Sequence, residues 1–372
     1  MINVIYDHQI FSLQRFGGAT RYFLNLGDAL LKKGDIGVEF QLGIFNKANL
    51  LEAIRPYLRG IQGGLFLPPH GVPRFFINEL FSYYYKVQSS TRDQNSVHHC
   101  TYIYPPHVKS NAPLIVTHHD CTLEKFPDQF RHSDRTVRIK RSIYQRANKI
   151  ITISNRSKID LMEFYGVPEE KIRVVYHGVE PPLAEEGCIS PFLTAPRPYL
   201  LYVGARTPYK NFDGLLRAYA MGKIKGDFNV VAAGGTPFTK PEKELMEKLG
   251  INDNVIGFPG ISQEGLGWLY YHAHGLVYPS TYEGFGFPPL EAMSMGCPTL
   301  ASNSSCLPEV LGDGPLYFES GVDSDLASQL ELLCYDHTLR ISLIARGKET
   351  VKKYTWGSTA DNTIAVYKAL LG

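Results

Sequence analysis

Two glutamates with seven residues between them, Glu283 and Glu291, bracket the segment Gly284-Phe285-Gly286-Phe287-Pro288-Pro289-Leu290. A carboxylate accepts hydrogen bonds from hydroxyls, so one of the pair suits a sugar and the other a ribose diol, with phosphates between them. Gly284 and Gly286 remove side chains where a ligand could approach the backbone, and the free amides of a helix start attract phosphate. Pro289 suits a first helical position and Gly296 the residue after a helix end, which puts Glu283 in a loop and Glu291 in the first helical turn. At that place Glu291 has a second reading, as a carboxylate that only complements the helix dipole. Another loop, Val203-Gly204-Ala205-Arg206-Thr207-Pro208-Tyr209-Lys210-Asn211, carries two cations four residues apart, ahead of a helix for which Asn211 is a fair N-cap. Cations at a helix start have the wrong sign for its dipole, which points to a bound anion; two solvated charges on a surface loop are the alternative.

Two more loops lie in the first half. Phe16-Gly17-Gly18-Ala19-Thr20 opens a helix with a glycine pair that lets amides approach an anionic group, without the G-x-G-x-x-G spacing of a dinucleotide fingerprint. Thr117-His118-His119-Asp120 ends a strand, where a histidine beside an aspartate can orient a sugar hydroxyl or handle a proton near neutral pH. Metal ligation is the weaker reading of this cluster and of His98-His99-Cys100, because adjacent strand side chains point to opposite faces and cannot easily share one ion.

The elements that must position these loops are short apolar runs alternating with amphipathic segments, punctuated by Gly and Pro. Strands are expected at 2–6, 36–44, 114–117, 149–153 and 172–176, with helices near 19–33, 134–147 and 155–165. In the second half, 199–203, 228–233, 254–257, 275–278 and 298–301 read as strands. The β-α-β-α order implies an α/β protein of two Rossmann-like, doubly wound parallel sheets, whose ligands sit at the carboxyl ends of the strands. Glu180-Pro181-Pro182 and the Pro-rich 191–198 read as a linker, so a boundary is expected near 182–196.

The chain has 372 residues, of which 44% are hydrophobic and 20% charged; this fits two globular domains and excludes disordered and collagen-like classes. No apolar run reaches the roughly 18–20 residues of a spanning helix and the first residues do not read as a signal peptide. Six cysteines show no C-x-x-C spacing, so a disulfide framework or zinc ribbon is not indicated and a reducing cytoplasm is the expected compartment. Residues 1–180 hold 23 Lys and Arg against 16 Asp and Glu, while 181–372 hold 15 against 20. Much of the excess lies in Arg131, Arg135, Arg138, Lys140, Arg141, Arg146, Lys149, Arg156 and Lys158, either a solvated helix face or a surface attracted to anionic lipid or phosphate. No zinc-finger, ribonucleoprotein or helix-turn-helix spacing accompanies the charge, so nucleic acid is not expected as a partner.

Taken together, the glutamate pair in YEGFGFPPLEAMSMGCPTLAS, Leu307-Pro308-Glu309-Val310, the Gly17-Gly18 loop with Arg21-Tyr22, THHD at 117–120, Ile153-Ser154, Val175-Tyr176-His177-Gly178-Val179, VGARTPYKN at 203–211, Gly234-Gly235 and Trp356 resemble glycosyltransferase family 4. These are retaining nucleotide-sugar glycosyltransferases of the GT-B fold, and the order of motifs matches over residues 1 to about 357. Within the family the chain looks like bacterial O-antigen and capsule mannosyl- and rhamnosyltransferases, the mannosyltransferases more closely. The resemblance implies a domain 1–182 for the acceptor, to which 357–372 crosses back, and a domain 183–356 for the nucleotide sugar, facing each other across a cleft. It implies that Arg206 and Lys210 neutralise the donor diphosphate, that Glu291 binds the ribose, and that Glu283 faces the transferred sugar with the amides of Gly284, Phe285 and Gly286. Gly204, Phe287 and Leu290 complete the expected donor site. His119 is expected beside the donor sugar, with Asp120 next to it, and Gly17 and Gly18 near donor phosphate or acceptor; His118 leaves open which histidine enters the cleft.

The chemistry fits these residues. Cleaving the bond to a nucleoside diphosphate develops positive charge at the anomeric carbon and negative charge on the leaving phosphate, which preplaced cations and amides stabilise. Arg206 and Lys210 do this without a metal, and no Asp-x-Asp motif is present, so no cofactor and no metal are expected. The implied enzyme is a hexosyltransferase moving mannose from GDP-mannose, with a rhamnosyl-, glucosyl- or N-acetylglucosaminyltransferase using dTDP or UDP donors as alternatives. A sugar-nucleotide epimerase and a non-catalytic binding subunit also keep these loops, whereas a glycosidase-type carboxylate pair does not need the basic one. The acceptor is expected to be a saccharide, lipid-diphosphate-linked. The aromatic stretch 67–86 reads as packed core, or, with 131–158, as a peripheral surface for the anionic inner leaflet.

Overall fold

A computed structural model of the chain describes residues 1–13, 18–45, 56–62, 77–78, 80, 95–103, 112–130, 133–183 and 198–372. The β-branched and aromatic runs form strands because such side chains fit a pleated, buried surface. In the first unit these are β1 (Ile2–Tyr6), β2 (Ile36–Phe45), β3 (Leu58–Gln62), β4 (Ser96–Cys100), β5 (Leu114–His118), β6 (Lys149–Thr152) and β7 (Ile172–Val174). They pair in parallel in the order β3-β2-β1-β4-β5-β6-β7, with Ile2 opposite Ile36 and Asn3 opposite Ser96. Parallel pairing demands crossovers, supplied by helices including Gly18–Leu31, Ser133–Arg146 and Asn155–Tyr165.

The second unit repeats the scheme with β8 (Tyr199–Val203), β9 (Asn229–Ala233), β10 (Val255–Phe258), β11 (Gly275–Tyr278), β12 (Thr299–Ser302) and β13 (Leu316–Phe318), ordered β10-β9-β8-β11-β12-β13. Both units are therefore α/β and doubly wound. Strands β3, β4 and β13 were not among those expected. In β4, Ser96-Val97-His98-His99-Cys100 lacks an apolar run, and His99 is buried because Tyr367 and Thr117 take its two ring nitrogens at 2.8 Å each.

Each unit has its own core. In the first, Val4, Tyr6, Phe23, Leu26, Val38 and Phe40 pack with Trp356, Ile364 and Tyr367 from the helix Trp356–Leu371. In the second, Tyr202, Phe212, Leu215, Val230, Val277 and Leu330 are among the core residues. The chain divides into Met1–Gly178 with Thr355–Gly372, and Val179–Tyr354. The first crossing falls four residues before the expected residue 182 and the second two before 356. The local packing explains both: the Thr359 hydroxyl donates to the Tyr176 carbonyl, and Gly178 lies so close to Trp356 that a Cβ would collide with the tryptophan backbone. One residue further on, Val179 N–H pairs instead with Tyr354 C=O at 3.0 Å. Among the described residues no helix is long and apolar enough to cross a membrane.

Candidate active site

The strand order reverses between β8 and β11 in the second unit, and open parallel sheets present their ligand crevice at such a switch point. The loops that follow these two strands carry Arg206 and Lys210 on one side and Glu283 on the other. Pro208–Lys210 form a single 3-10 turn, closed by the Lys210 amide on the Thr207 carbonyl. The two loops are tied together by the amide and hydroxyl of Thr281, which both donate to the Tyr209 carbonyl at 2.8 and 3.0 Å. Three serines at the end of β12 and just after it hold the second loop: Ser302 donates to the Ser280 carbonyl, Ser304 to that of Thr281 and Ser305 to that of Glu283.

On this frame Lys210 Nζ lies 2.5 Å from Glu283 Oε1, and the Tyr278 hydroxyl donates to the same oxygen at 2.6 Å. The side chains of Lys210 and Glu283 are 16% and 12% exposed, so the pair is mostly withdrawn from water. Burial, then the charge of Glu283, pushes the Tyr278 phenol well above its ordinary value, so it remains a neutral donor. Tyr278 was not among the expected site residues. Its place as the last residue of β11, directly ahead of the loop, is the signal that marks it.

The helix bearing the second glutamate runs from Phe287 to Ser294, with Gly286 as its N-cap. It begins two residues earlier than expected because both prolines fit the first turn, where an amide hydrogen has no helical partner. Glu291 is thus in the second turn, not the first, and complementing the dipole does not account for it. It is 3% exposed and accepts from the buried Tyr270 hydroxyl at 3.1 Å. Leu290 is buried beside it, as is Phe285 in the preceding loop, while Gly284 lies in that loop and Gly204 follows β8. Asn211 is the N-cap of the helix Phe212–Met221, as expected, but it takes a left-handed conformation and makes no side-chain cap bond.

The structure takes the two expected phosphate cations to different partners. Lys210 meets Glu283, whereas the Arg206 guanidinium turns to Glu242, 2.6 Å from its Oε1. A sequence does not announce this pairing, since Glu242 stands 36 residues downstream.

In the first unit His118 ends β5 and His119 follows it, and the two rings meet different partners. His118 is fully engaged, its Nδ1 hydrogen-bonded to the Tyr144 hydroxyl at 2.7 Å and its Nε2 to Cys121 Sγ at 3.5 Å. His119 packs edge-on against Tyr22, 5.6 Å between ring centroids, and its Nε2 has no hydrogen-bond partner among the described residues. Burial pushes the His119 imidazole down to about 4, with Asp120 pulling the other way, so the ring is neutral at pH 7. The Asp120 carboxylate is met by the Thr122 amide at 2.8 Å; burial opposes its charge, but nearby Lys140 and Thr122 keep it below the usual carboxylate value. Gly18 is the first residue of the helix Gly18–Leu31, and Gly17 lies outside the described residues.

Lys140 corrects an expectation. In the helix Ser133–Arg146 it faces inward, 7% exposed, with Nζ 2.9 Å from Glu124 Oε1 and 3.2 Å from the Asp120 carbonyl. Arg135, Arg138, Arg141 and Arg146 form the exposed basic side of that helix, so the charged run is divided between interior and surface. Arg131 and most of the aromatic stretch 67–86 lie outside the described residues.

The chain matches the model of Glycosyltransferase Family 4 over residues 16–182 and that of Glycosyl transferases group 1 over residues 191–350. It is 30% identical over 287 residues to O-antigen chain mannosyltransferase B of Escherichia coli, covering 74% of each chain. It is 31% identical over 238 residues to the MMP alpha-(1->4)-mannosyltransferase of Mycolicibacterium hassiacum, covering 62% of this chain and 56% of that one. It is likewise 31% identical over 206 residues to O-antigen chain mannosyltransferase RfbU of Salmonella typhimurium, covering 54% of this chain and 55% of the other. Among solved structures, sucrose-phosphate synthase from Thermosynechococcus elongatus superimposes with a TM-score of 0.77 at 19% identity, over 100% of this chain and 99% of that one. HepE of Anabaena, solved with UDP-glucose, gives 0.74 at 15% identity over the whole of both chains. These likenesses show the GT-B fold. With matched domains in both units and a relative aligned over three quarters of its length, the chain belongs to glycosyltransferase family 4.

Proposed function

We propose that the protein transfers mannose from GDP-mannose to a saccharide acceptor with retention at the anomeric carbon and without a metal. The observation that carries this reading is the mostly buried Lys210–Glu283–Tyr278 cluster at the switch point of the second sheet. As the bond to the diphosphate breaks, the ammonium of Lys210 and the amides around Gly286 meet the charge developing on the leaving group. Glu283, held by two donors on one oxygen, orients a sugar hydroxyl and forms no covalent bond. In retaining transfer by same-face attack, the leaving phosphate takes the proton of the acceptor hydroxyl. The neutral ring of His119, in the first unit, serves as a hydrogen-bonding partner for a sugar hydroxyl, and Glu291, in the second, takes the ribose. Three of the relatives are named as mannosyltransferases, which supports mannose as the sugar.

The donor is tested by thermal stabilisation with GDP-mannose, GDP-fucose, UDP-glucose, UDP-GlcNAc, UDP-galactose and dTDP-rhamnose, each with and without EDTA. Saturation at a hundred times Kd adds about 2.7 kcal/mol, so GDP-mannose is expected to raise Tm alone of the set, and to do so in EDTA. A shift with a UDP or dTDP sugar alone overturns the donor, and a shift abolished by EDTA overturns the metal-free mechanism.

The acceptor is proposed to be lipid-diphosphate-linked and met at an anionic membrane surface. The exposed arginines of the helix Ser133–Arg146 support this, since a basic face near anionic lipid gains about 1 kcal/mol per charge. Reversing Arg135 and Arg138 to Glu is expected to weaken binding to anionic vesicles at least tenfold while leaving donor hydrolysis at the parental rate. Unchanged vesicle binding removes the membrane claim.

A further inference from the structure

We propose that Arg206 does not contact the donor diphosphate and is instead a positioning residue, a clasp that fixes the loop after β9 against the loop after β8. The inference rests on the donor reading given above and reassigns one residue within it.

A guanidinium carries five N–H donors in a rigid planar fork, and Arg206 makes four hydrogen bonds to the protein with them. Nε donates to Glu242 Oε1 at 2.6 Å, Nη1 to the Gly234 carbonyl at 3.2 Å, and Nη2 to the carbonyls of Thr236 at 2.6 Å and Pro237 at 3.2 Å. The Phe238 ring lies 4.9 Å from the guanidinium carbon and Phe212 5.8 Å away. The side chain is 5% exposed and that of Glu242 10%, which leaves little of the charge for an incoming phosphate.

Glu242 is doubly committed as well. Its Oε2 accepts from the Thr239 amide at 2.6 Å and hydroxyl at 2.7 Å, closing a capping box at the start of the helix Lys240–Leu249. Burial opposes the Glu242 charge, but the Thr239 amide and Arg206 outweigh it and keep the carboxyl below its ordinary value. Swinging Arg206 toward a phosphate would give up the ion pair with Glu242 and the bonds to three carbonyls. The loop itself is shaped to the guanidinium: Gly234 and Gly235 take φ values of 89° and 70°, and a Cβ on Gly235 would sit 3.2 Å from Nη1. Each peptide hydrogen points opposite its carbonyl, so with the carbonyls of Gly234 and Pro237 turned onto Arg206 the amides of Gly235 and Phe238 point away from it. Strand β9 neighbours β8 on the side away from β11, so this loop flanks the β8 loop that carries Lys210, one strand removed from the switch point, with Gly234 lying against Gly204. The clasp thus sets the wall beside the donor, and Lys210 is left as the cation that meets the diphosphate.

The test compares R206M, R206K, E242Q, the R206M/E242Q double variant and K210A for donor KM, kcat and Tm. R206M and E242Q are each expected to raise donor KM about tenfold with kcat within threefold of the parent, and the double variant to be no worse than R206M. R206K is expected to fail as a rescue, since an ammonium cannot serve a carboxylate and three carbonyls together. The clasp is overturned if R206M lowers kcat while E242Q keeps parental KM, if the two effects multiply, or if R206K restores activity. Should R206M be recovered unfolded, E242Q carries the test alone, and a parental KM in it sinks the clasp. Failure of the donor reading is separately visible, because K210A would then keep parental activity and donor affinity.

Discussion

Lys210→Ala is expected to lower kcat for sugar transfer by about 10²–10³, the cost of removing one preorganised stabiliser of developing charge. The residue sits where this matters, with its ammonium 2.5 Å from Glu283 and its side chain only 16% exposed. A charge partly withdrawn from water acts on a phosphate with less screening than a surface lysine would. The measurement is kcat at saturating donor, with donor affinity determined in parallel by displacement of the nucleoside diphosphate. A variant that loses only affinity, at parental kcat, would mean that Lys210 binds ground state and transition state alike. Because the alanine variant leaves Glu283 with Tyr278 as its remaining named donor, K210A/E283Q should be made beside it. If the lost cation dominates, the double variant is no faster than K210A.

The second large effect concerns stability. Lys140→Met should destabilise the first unit by about 3–5 kcal/mol, the usual consequence of breaking a buried ion pair from one side. Glu124 is 2% exposed at its side chain, and apart from Lys140 it has the Tyr165 hydroxyl as a donor. In a domain of this size that loss corresponds to a fall in Tm of about 6–20 °C. Adding Glu124→Leu should recover part of the loss, since replacing both charges with apolar groups removes the stranded carboxylate. Equilibrium unfolding in urea checks both, and a K140M variant within 1 kcal/mol of the parent would show that the pair is not as dry as its burial indicates. The same lysine holds the Asp120 carbonyl at 3.2 Å, so activity should fall along with stability.

These two lysines show what the sequence made legible and what it did not. Strands such as Ile2–Tyr6 and Tyr199–Val203 were visible because β-branched and aromatic runs bounded by turn residues have few other places to go. The loops bearing Glu283 and Lys210 were visible because they follow such strands, where a parallel sheet keeps its ligands. Lys140 was misplaced because the amphipathic run it belongs to gives a period but not the identity of the buried partner; the helix turns a lysine inward only because Glu124 waits there. The partner of Arg206 was hidden for the same reason, since Glu242 is brought to it by tertiary packing across two loops. The two adjacent histidines were distinguishable only once Tyr144 and Cys121 had claimed His118. Strand β4 escaped because His99 is buried through hydrogen bonds to Thr117 and Tyr367 and not through hydrophobicity.

The helix Trp356–Leu371 has a consequence for how the chain is built during synthesis. Its Tyr367 hydroxyl meets both His99 and Tyr6 in the interior of the first unit, and Ile364 and Val366 join the same core. All of Val179–Tyr354 must leave the ribosome before that core can close, whereas the second unit is continuous in sequence and can complete itself as soon as it emerges. Domains usually mature from the N-terminus forward during translation. In this chain the unit made first is finished last, and until then the nascent chain carries an open apolar face where the last helix will dock.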